Sequence, residues 1–263
     1  MITRYIGYTQ HDCTLGLHRG LPSRHVTLVI SLGAPVRIVG MPGDQSPAEL
    51  HGFVGGMHTS SAVIAQDAKQ SGIHIELHPL GVRSLLGLPS AELSGYVVGL
   101  GELGSARLAA LPERLREAKT WAGRFAILDR VFLTEAVDAA GPPREIGWAW
   151  QRMLADGGTG TVSALADEIG WSRRHFSERF RGELGLSPKQ AARVLRFERA
   201  CNALRRRPGT DLAELAVSCG YYDQPHLTNE WRALAGCSPG VWIAEELPSL
   251  QDEDNGPGAH SRA

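Results

Sequence analysis

The chain has little that would take it out of the ordinary globular class. None of its 263 residues belongs to a run of some eighteen uninterrupted apolar side chains, so no segment reads as a membrane span. Met1 to Gln10 lack the apolar core of a secretory signal, and a cytoplasmic protein without membrane association is expected. Cysteine is scarce. Cys13, Cys201, Cys219 and Cys237 stand far apart with no C-x-x-C pair, which removes a zinc knuckle or redox motif and leaves free thiols as the expectation. No phosphate loop, G-x-S-x-G elbow or nucleophile–base pair occurs, so no catalytic residue, cofactor or hydrolase or kinase chemistry is indicated. A charge excess is missing too: the formal net charge is −1. Phosphate neutralisation needs clustered Lys and Arg, so the distribution of charge has to decide whether nucleic acid is a partner.

That distribution is uneven. Between Ser172 and Arg207 the bases Arg173, Arg174, Arg179, Arg181, Lys189, Arg193, Arg196, Arg199, Arg205, Arg206 and Arg207 face only Glu178, Glu183 and Glu198. The cations of the chain are overwhelmingly Arg, whose planar fork suits phosphate and guanine edges, although genomic base composition accounts for the same bias.

From His25 to Pro79, apolar runs at His25 to Leu32, Val36 to Val39, Ala62 to Gln66 and Ile73 to Leu77 alternate with Gly- and Pro-rich spacers, as strands of a small sandwich or barrel do. After Leu80 the period turns helical over Arg83 to Leu88, Ser105 to Glu117 and Thr120 to Ala139. Trp121, Phe125, Leu128 and Phe132 form a narrow stripe on the last of these, open to two readings: packing on the strands of its own domain, or a homodimer seam. Gly141, Pro142 and Pro143 interrupt the helix. The expected division is a β-rich domain over 1–141, a helical domain over 145–246 and a disordered polar tail over 247–263.

The helical part contains an internal repeat. Leu165, Ala166 and Gly170 recur as Leu215, Ala216 and Gly220; then Trp171 as Tyr221, His175-Phe176 as His226-Leu227, Phe180-Arg181 as Trp231-Arg232, and Gly185 to Pro188 as Gly236 to Pro239. Each copy reads as two short helices around a turn. Gly170 and Gly220 end the first, and Ser172 and Asp223 cap the second. Phe176 and Phe180, with Leu227, Trp231 and Leu234, face inward. The opposite face offers Arg173, Arg174, Ser177, Glu178 and Arg181 in one copy and Gln224, Pro225, Thr228, Asn229 and Arg232 in the other. Arg pairs with guanine, Gln and Asn with adenine, and Glu accepts from cytosine. Between the copies a helix from Ser187-Pro188 to about Arg206 spans roughly 27 Å, approaching the ~34 Å repeat of major grooves on one face of DNA. Arg205 to Arg207 at its end suit phosphates or the helix C-terminus equally.

With both copies in place, residues from about Glu145 to Trp242 resemble the DNA-binding domain of the arabinose-regulator (AraC) family. The resemblance implies a bacterial transcription regulator of α+β class, with a cupin-like β-barrel sensor half and an all-α double helix-turn-helix. It implies double-stranded DNA as partner, RNA polymerase for an activator, and a small-molecule effector it does not identify. By the family's motif the contacts fall on Arg174, Ser177 and Glu178, and on Gln224, Pro225 and Asn229. Two other readings compete. His74, Glu76 and His78 alternate along one strand face, with His51 and His58 nearby in sequence, a set suited to a divalent metal in a cupin enzyme or sensor. Alternatively, helical repeats bind another protein, which predicts no salt-dependent DNA affinity.

Overall fold

The structure, a computed structural model, describes residues 1–11, 16–136, 141–245 and 260–262, the last three by backbone alone. Cys13, the end of the Thr120 to Ala139 segment and most of the tail from 247 lie outside the described residues. Of that tail, residues 260–262 are described as a strand.

Ten strands are present among the described residues: β1 (Ile2–His11), β2 (Leu17–Gly20), β3 (Val26–Ser31), β4 (Val36–Gly40), β5 (Ala48–Leu50), β6 (Gly52–Gly55), β7 (Ala62–Ala65), β8 (Lys69–Leu77), β9 (Val97–Gly99) and β10 (His260–Arg262). They form two antiparallel sheets, one in the order β10-β1-β8-β3-β6-β9 and the other β2-β7-β4-β5. Of the sandwich and the barrel expected, the sandwich is found: the cupin-like barrel is corrected to two sheets facing each other without closure. Strand alternation explains both layers. In β3, Val26, Leu28 and Ile30 point to the main core, while Val29 points to a smaller cluster between the sheets with Ile38, Phe53, Ala62, Ile64 and Val97.

Helices α1 (Val82–Leu86), α2 (Ala106–Ala109), α3 (Leu111–Glu117) and α4 (Trp121–Glu135) follow the strands. What reads as one helix over Ser105 to Glu117 is two, because Pro112 opens a new first turn after Ala110. In α4, Phe125, Leu128 and Phe132 are buried in the main core, and Tyr5 of β1 stacks on Phe125 and Phe132 with ring centroids 5.8 and 6.3 Å apart. Trp121 covers Gly7, where a Cβ would overlap its ring. Of the two readings of this stripe, packing on the strands of its own domain is the one found, and the seam is corrected: Phe125, Leu128 and Phe132 are buried, and Tyr5 of the first strand covers two of them.

The C-terminal part is helical: α5 (Arg144–Asp156), α6 (Val162–Glu168), α7 (Arg173–Leu184), α8 (Pro188–Arg206), α9 (Leu212–Ser218), α10 (Gln224–Ala235) and α11 (Pro239–Glu245). One cluster of buried side chains runs without a break from Val26 in the sheet to Trp242 in α11, so the two halves share a core. Truncating Phe132 to Ala, which removes a fully packed ring against Tyr5, lowers unfolding stability by about 3–5 kcal/mol in urea titrations.

Candidate nucleic-acid interface

The two copies of the repeat fold alike, down to single hydrogen bonds. Gly170 and Gly220 take left-handed backbone, φ 73° and 81°, as the end of a helix before a tight turn demands. The next residue then donates back to the first helix, Trp171 N to Ala166 O and Tyr221 N to Ala216 O, each at 2.9 Å. The Ser172 hydroxyl accepts from His175 N and the Asp223 carboxylate from His226 N, at 3.2 and 2.8 Å. These are the N-caps of α7 and α10. Phe176, Phe180, Leu227, Trp231 and Leu234 are fully buried, and this fixes which face of each helix looks outward.

On α7 that outer face presents Arg173, Arg174, Glu178 and Arg181 exposed, with Ser177 half-buried; on α10 it presents Gln224, Pro225, Asn229 and Arg232 exposed, with Thr228 half-buried. Arg174 Nε donates to Glu178 Oε1 at 2.9 Å, one turn along, in full solvent. His175 stands edge-on to Trp171 at 4.6 Å. His226 is tied to the backbone, its Nδ1 accepting from Tyr222 N at 3.2 Å. Helix α8, capped by Ser187 with Gln190 in a reciprocal box, is 19 residues, about 28 Å long.

The basic stretch is partly spent inside the molecule. Arg193 and Arg196 bind Glu230 of α10, and Arg205 bonds Asn202 and lies over Trp242. Two of the three acids of the stretch are taken by the N-terminal half: Glu183 by Arg83 at 3.1 Å and Glu198 by Arg24 at 2.7 Å. Burial raises the pKa of Glu198 against the pull of Arg24. Arg173, Arg179, Arg181, Lys189, Arg199, Arg206 and Arg207 remain exposed cations. Sequence reasoning missed Arg24, Arg83 and Glu230, whose partners are distant in the chain; only Glu230 left a signal, as an acid where the repeat has Arg179.

The N-terminal half touches both copies at their G-x-S-P turns. Gly185 packs so closely on Ser94 that a Cβ would overlap it, and Ser61 Oγ donates to Ala235 O beside Gly236 at 3.0 Å. Beside the first of these turns opens a cleft of about 420 Å³, lined among others by His58, Ser60 and Ser94 on one side and Arg181, Gly185 and Gln190 on the other.

His74, Glu76 and His78 do share one face, since only Ile73, Ile75 and Leu77 of β8 enter the main core. Their chemistry departs from a metal site. Arg4, directly opposite on β1, donates to Glu76 Oε1 at 2.9 Å, and His25 Nε2 lies 3.6 Å from Oε2. A fixed guanidinium thus occupies the carboxylate a dication would need. Among the described residues no group of three or more His, Cys, Asp or Glu side chains could hold a metal ion, and His58 lines the cleft instead. The metal-site reading is set aside on this geometry. Burial, opposed by Glu76, pushes His25 down to about 4, and it also lowers the pKa of His74 and His78. Glu76, which burial alone would raise, is held below the usual carboxylate range by Arg4, His25 and His74.

All four shifts have the same sign for stability. The unfolded chain takes up a proton at His25 near 6.5, whereas the folded chain does so only at about 4. His25 therefore costs the fold nothing above about 6.5, and a penalty grows as pH falls toward about 4, up to roughly 3 kcal/mol. Denaturant midpoints measured from pH 7.5 to 4 fall across that window, and His25→Phe flattens the fall.

Residues 165–245 match a family model described as a helix-turn-helix domain. No curated protein matches the chain. Among solved structures, the chain is similar to ToxT from Vibrio cholerae at 9% identity, covering 92% of this chain and 98% of that one with TM-score 0.53. ToxT from strain SCE256 bound to an unsaturated fatty acid is similar at 8% identity, covering 92% and 94%, TM-score 0.51. A transcriptional regulator from Chromobacterium violaceum, described as having an AraC-type DNA-binding domain, is 22% identical over 44% of this chain and 96% of that one, TM-score 0.35. The ToxT likeness spans both halves of the chain and gives the two-part fold.

Proposed function

We propose that the protein is a cytoplasmic transcription regulator of AraC type, which reads double-stranded DNA with α7 and α10 in successive major grooves; the match of residues 165–245 to a helix-turn-helix domain model supports the reading. The observation that carries this reading is the matched pair of capped helices, each pinned by large buried apolar side chains and each turning Arg, Gln or Asn outward. Residues 145–246 form the reading half, and residues 1–141 the half that senses a small molecule. Arg174, Gln224 and Asn229 are the base readers, with Ser177, Glu178, Pro225 and Thr228 shaping the same surfaces. Arg173, Arg181 and Arg232 neutralise phosphate. As an activator the protein would also engage RNA polymerase.

Control by a small molecule is supported by the docking of the N-terminal half on both G-x-S-P turns and by the cleft beside the first of them. A molecule seated in that cleft touches both halves and so binds their possible arrangements with different affinity, which is the requirement for shifting an equilibrium between them. Arg181 at the cleft favours an organic acid. The fatty acid in ToxT makes long unsaturated carboxylates the first class to try.

Selection of genomic fragments by the purified protein, repeated with Arg174→Ala plus Asn229→Ala at fixed salt, tests the DNA reading. Wild type is expected to enrich a site with two half-elements about one helical turn apart. Each substitution costs about 1–3 kcal/mol at its half-element, and binding falls steeply as salt rises. Absence of any enriched site, with or without carboxylates, overturns the reading. Oleate is expected to raise the melting temperature of wild type more than that of Arg181→Ala; equal shifts, or none, remove the cleft as its site and leave the DNA reading standing.

A further inference from the structure

The repeat breaks at one position that faces the protein. Fifty-one residues after Arg179, which is exposed on α7, α10 carries Glu230, with its side chain only 12% exposed. Arg193 Nε donates to Glu230 Oε1 at 2.9 Å, and Arg196 Nη2 reaches both carboxylate oxygens at 3.3 Å. His226 Nε2, one turn back on α10, lies 3.6 Å from Oε1. Arg196 also extends into the first copy: its Nη1 donates at 3.0 Å to Gly158 O, in the turn before α6, while its guanidinium lies over the Tyr221 ring at 5.6 Å. The same turn presses on both sides, Gly158 against the backbone of Ala192 in α8 and Thr159 against Gly220. One carboxylate thus gathers the connector helix, the second reader and, through Arg196, the entrance of the first helix-turn-helix.

We propose that Glu230 is a positioning residue for DNA recognition: its clamp on Arg193 and Arg196 fixes the distance and twist between the two readers before DNA arrives. Charge-assisted bonds shared by two guanidinium groups in a largely dry site are directional and stiff. Without the carboxylate, Arg193 and Arg196 are left as neighbouring cations that repel, and α10 loses its only acidic tie to α8 among the described residues. Glu230 points away from the DNA-reading face, so its effect is on where α10 stands and not on which base it reads. The inference rests on the two-groove reading above for its consequence, though the clamp itself can be examined without DNA.

Two measurements on the full chain test it, both on Glu230→Gln, which keeps size and shape. Spin labels at Arg179→Cys and Ala233→Cys, both exposed, in a Cys13→Ser, Cys237→Ser background, report the α7 to α10 distance. The narrow distribution of the parent is expected to broaden or shift in Glu230→Gln, while a cooperative melt confirms folding. On duplexes carrying the selected site, adding one base pair between half-elements rotates the second by about 35°; wild type is expected to lose about tenfold in affinity and Glu230→Gln about threefold or less. Affinity for the isolated second half-element stays within about twofold of wild type, because the reading residues are untouched. An unchanged distance distribution overturns the proposal. So does equal loss of affinity at every spacing and on the isolated half-element, which marks a merely structural role. A distance change in a protein that binds no DNA sustains the clamp and removes the function reading instead.

Discussion

Helix α8 has to bury one face against helices from both repeats while keeping enough charge to stay solvated, and the rest of the C-terminal half is arranged around that demand. Its small residues Ala191, Ala192 and Ala200 let neighbouring backbones come close, and Phe197 meets Trp231 of α10 edge-on at 4.9 Å. Its Arg193, Arg196 and Glu198 cannot be left unpaired where they are partly dry, so each is met by an opposite charge from another part of the chain. These pairs decide which cations remain on the surface. The DNA-facing charge is what the fold leaves over after its own needs are met.

Much of the reading half was legible in the sequence because its determinants are local. A glycine that must adopt positive φ, a capping Ser or Asp, and a large apolar residue every four residues act within one or two turns, and their repetition about fifty residues later confirms them against chance. Gly170, Ser172, Phe176 and Phe180 are each placed by their neighbours in sequence. The N-terminal half was legible only in part. β3, β4, β7 and the end of β8 show as apolar runs, but β1 alternates apolar with polar residues and borrows its identity from pairing with β8. The apolar stripe of α4 was visible, yet its partner Tyr5 lies more than a hundred residues earlier. Pairing of charges between halves, such as Arg24 with Glu198, has no local signature at all.

The polar patch on β8 illustrates how one sequence pattern carries different chemistry once its neighbours are known. Alternation placed His74, Glu76 and His78 on one face correctly. What alternation could not supply was Arg4 from the adjacent strand, which turns a candidate ligand set into an ion-pair network held neutral at its imidazoles by burial. The same network reaches toward α8 through Arg24 and Glu198, so the sheet and the connector helix are electrostatically joined.

The N-terminal half holds α7 and α10 at their trailing ends, beside Gly185 and Gly236, and leaves their leading ends bare. Each of these helices is 12 residues, about 18 Å from end to end, and pivots on an aromatic buried near its middle or far end. Each is therefore a lever. A small sideways push at the turn reappears at the other end with opposite sense, where a hydrogen bond to a base edge tolerates only a few tenths of an ångström before it weakens. Sensing can then stay remote from the DNA and still be decisive, provided the fulcrum does not give.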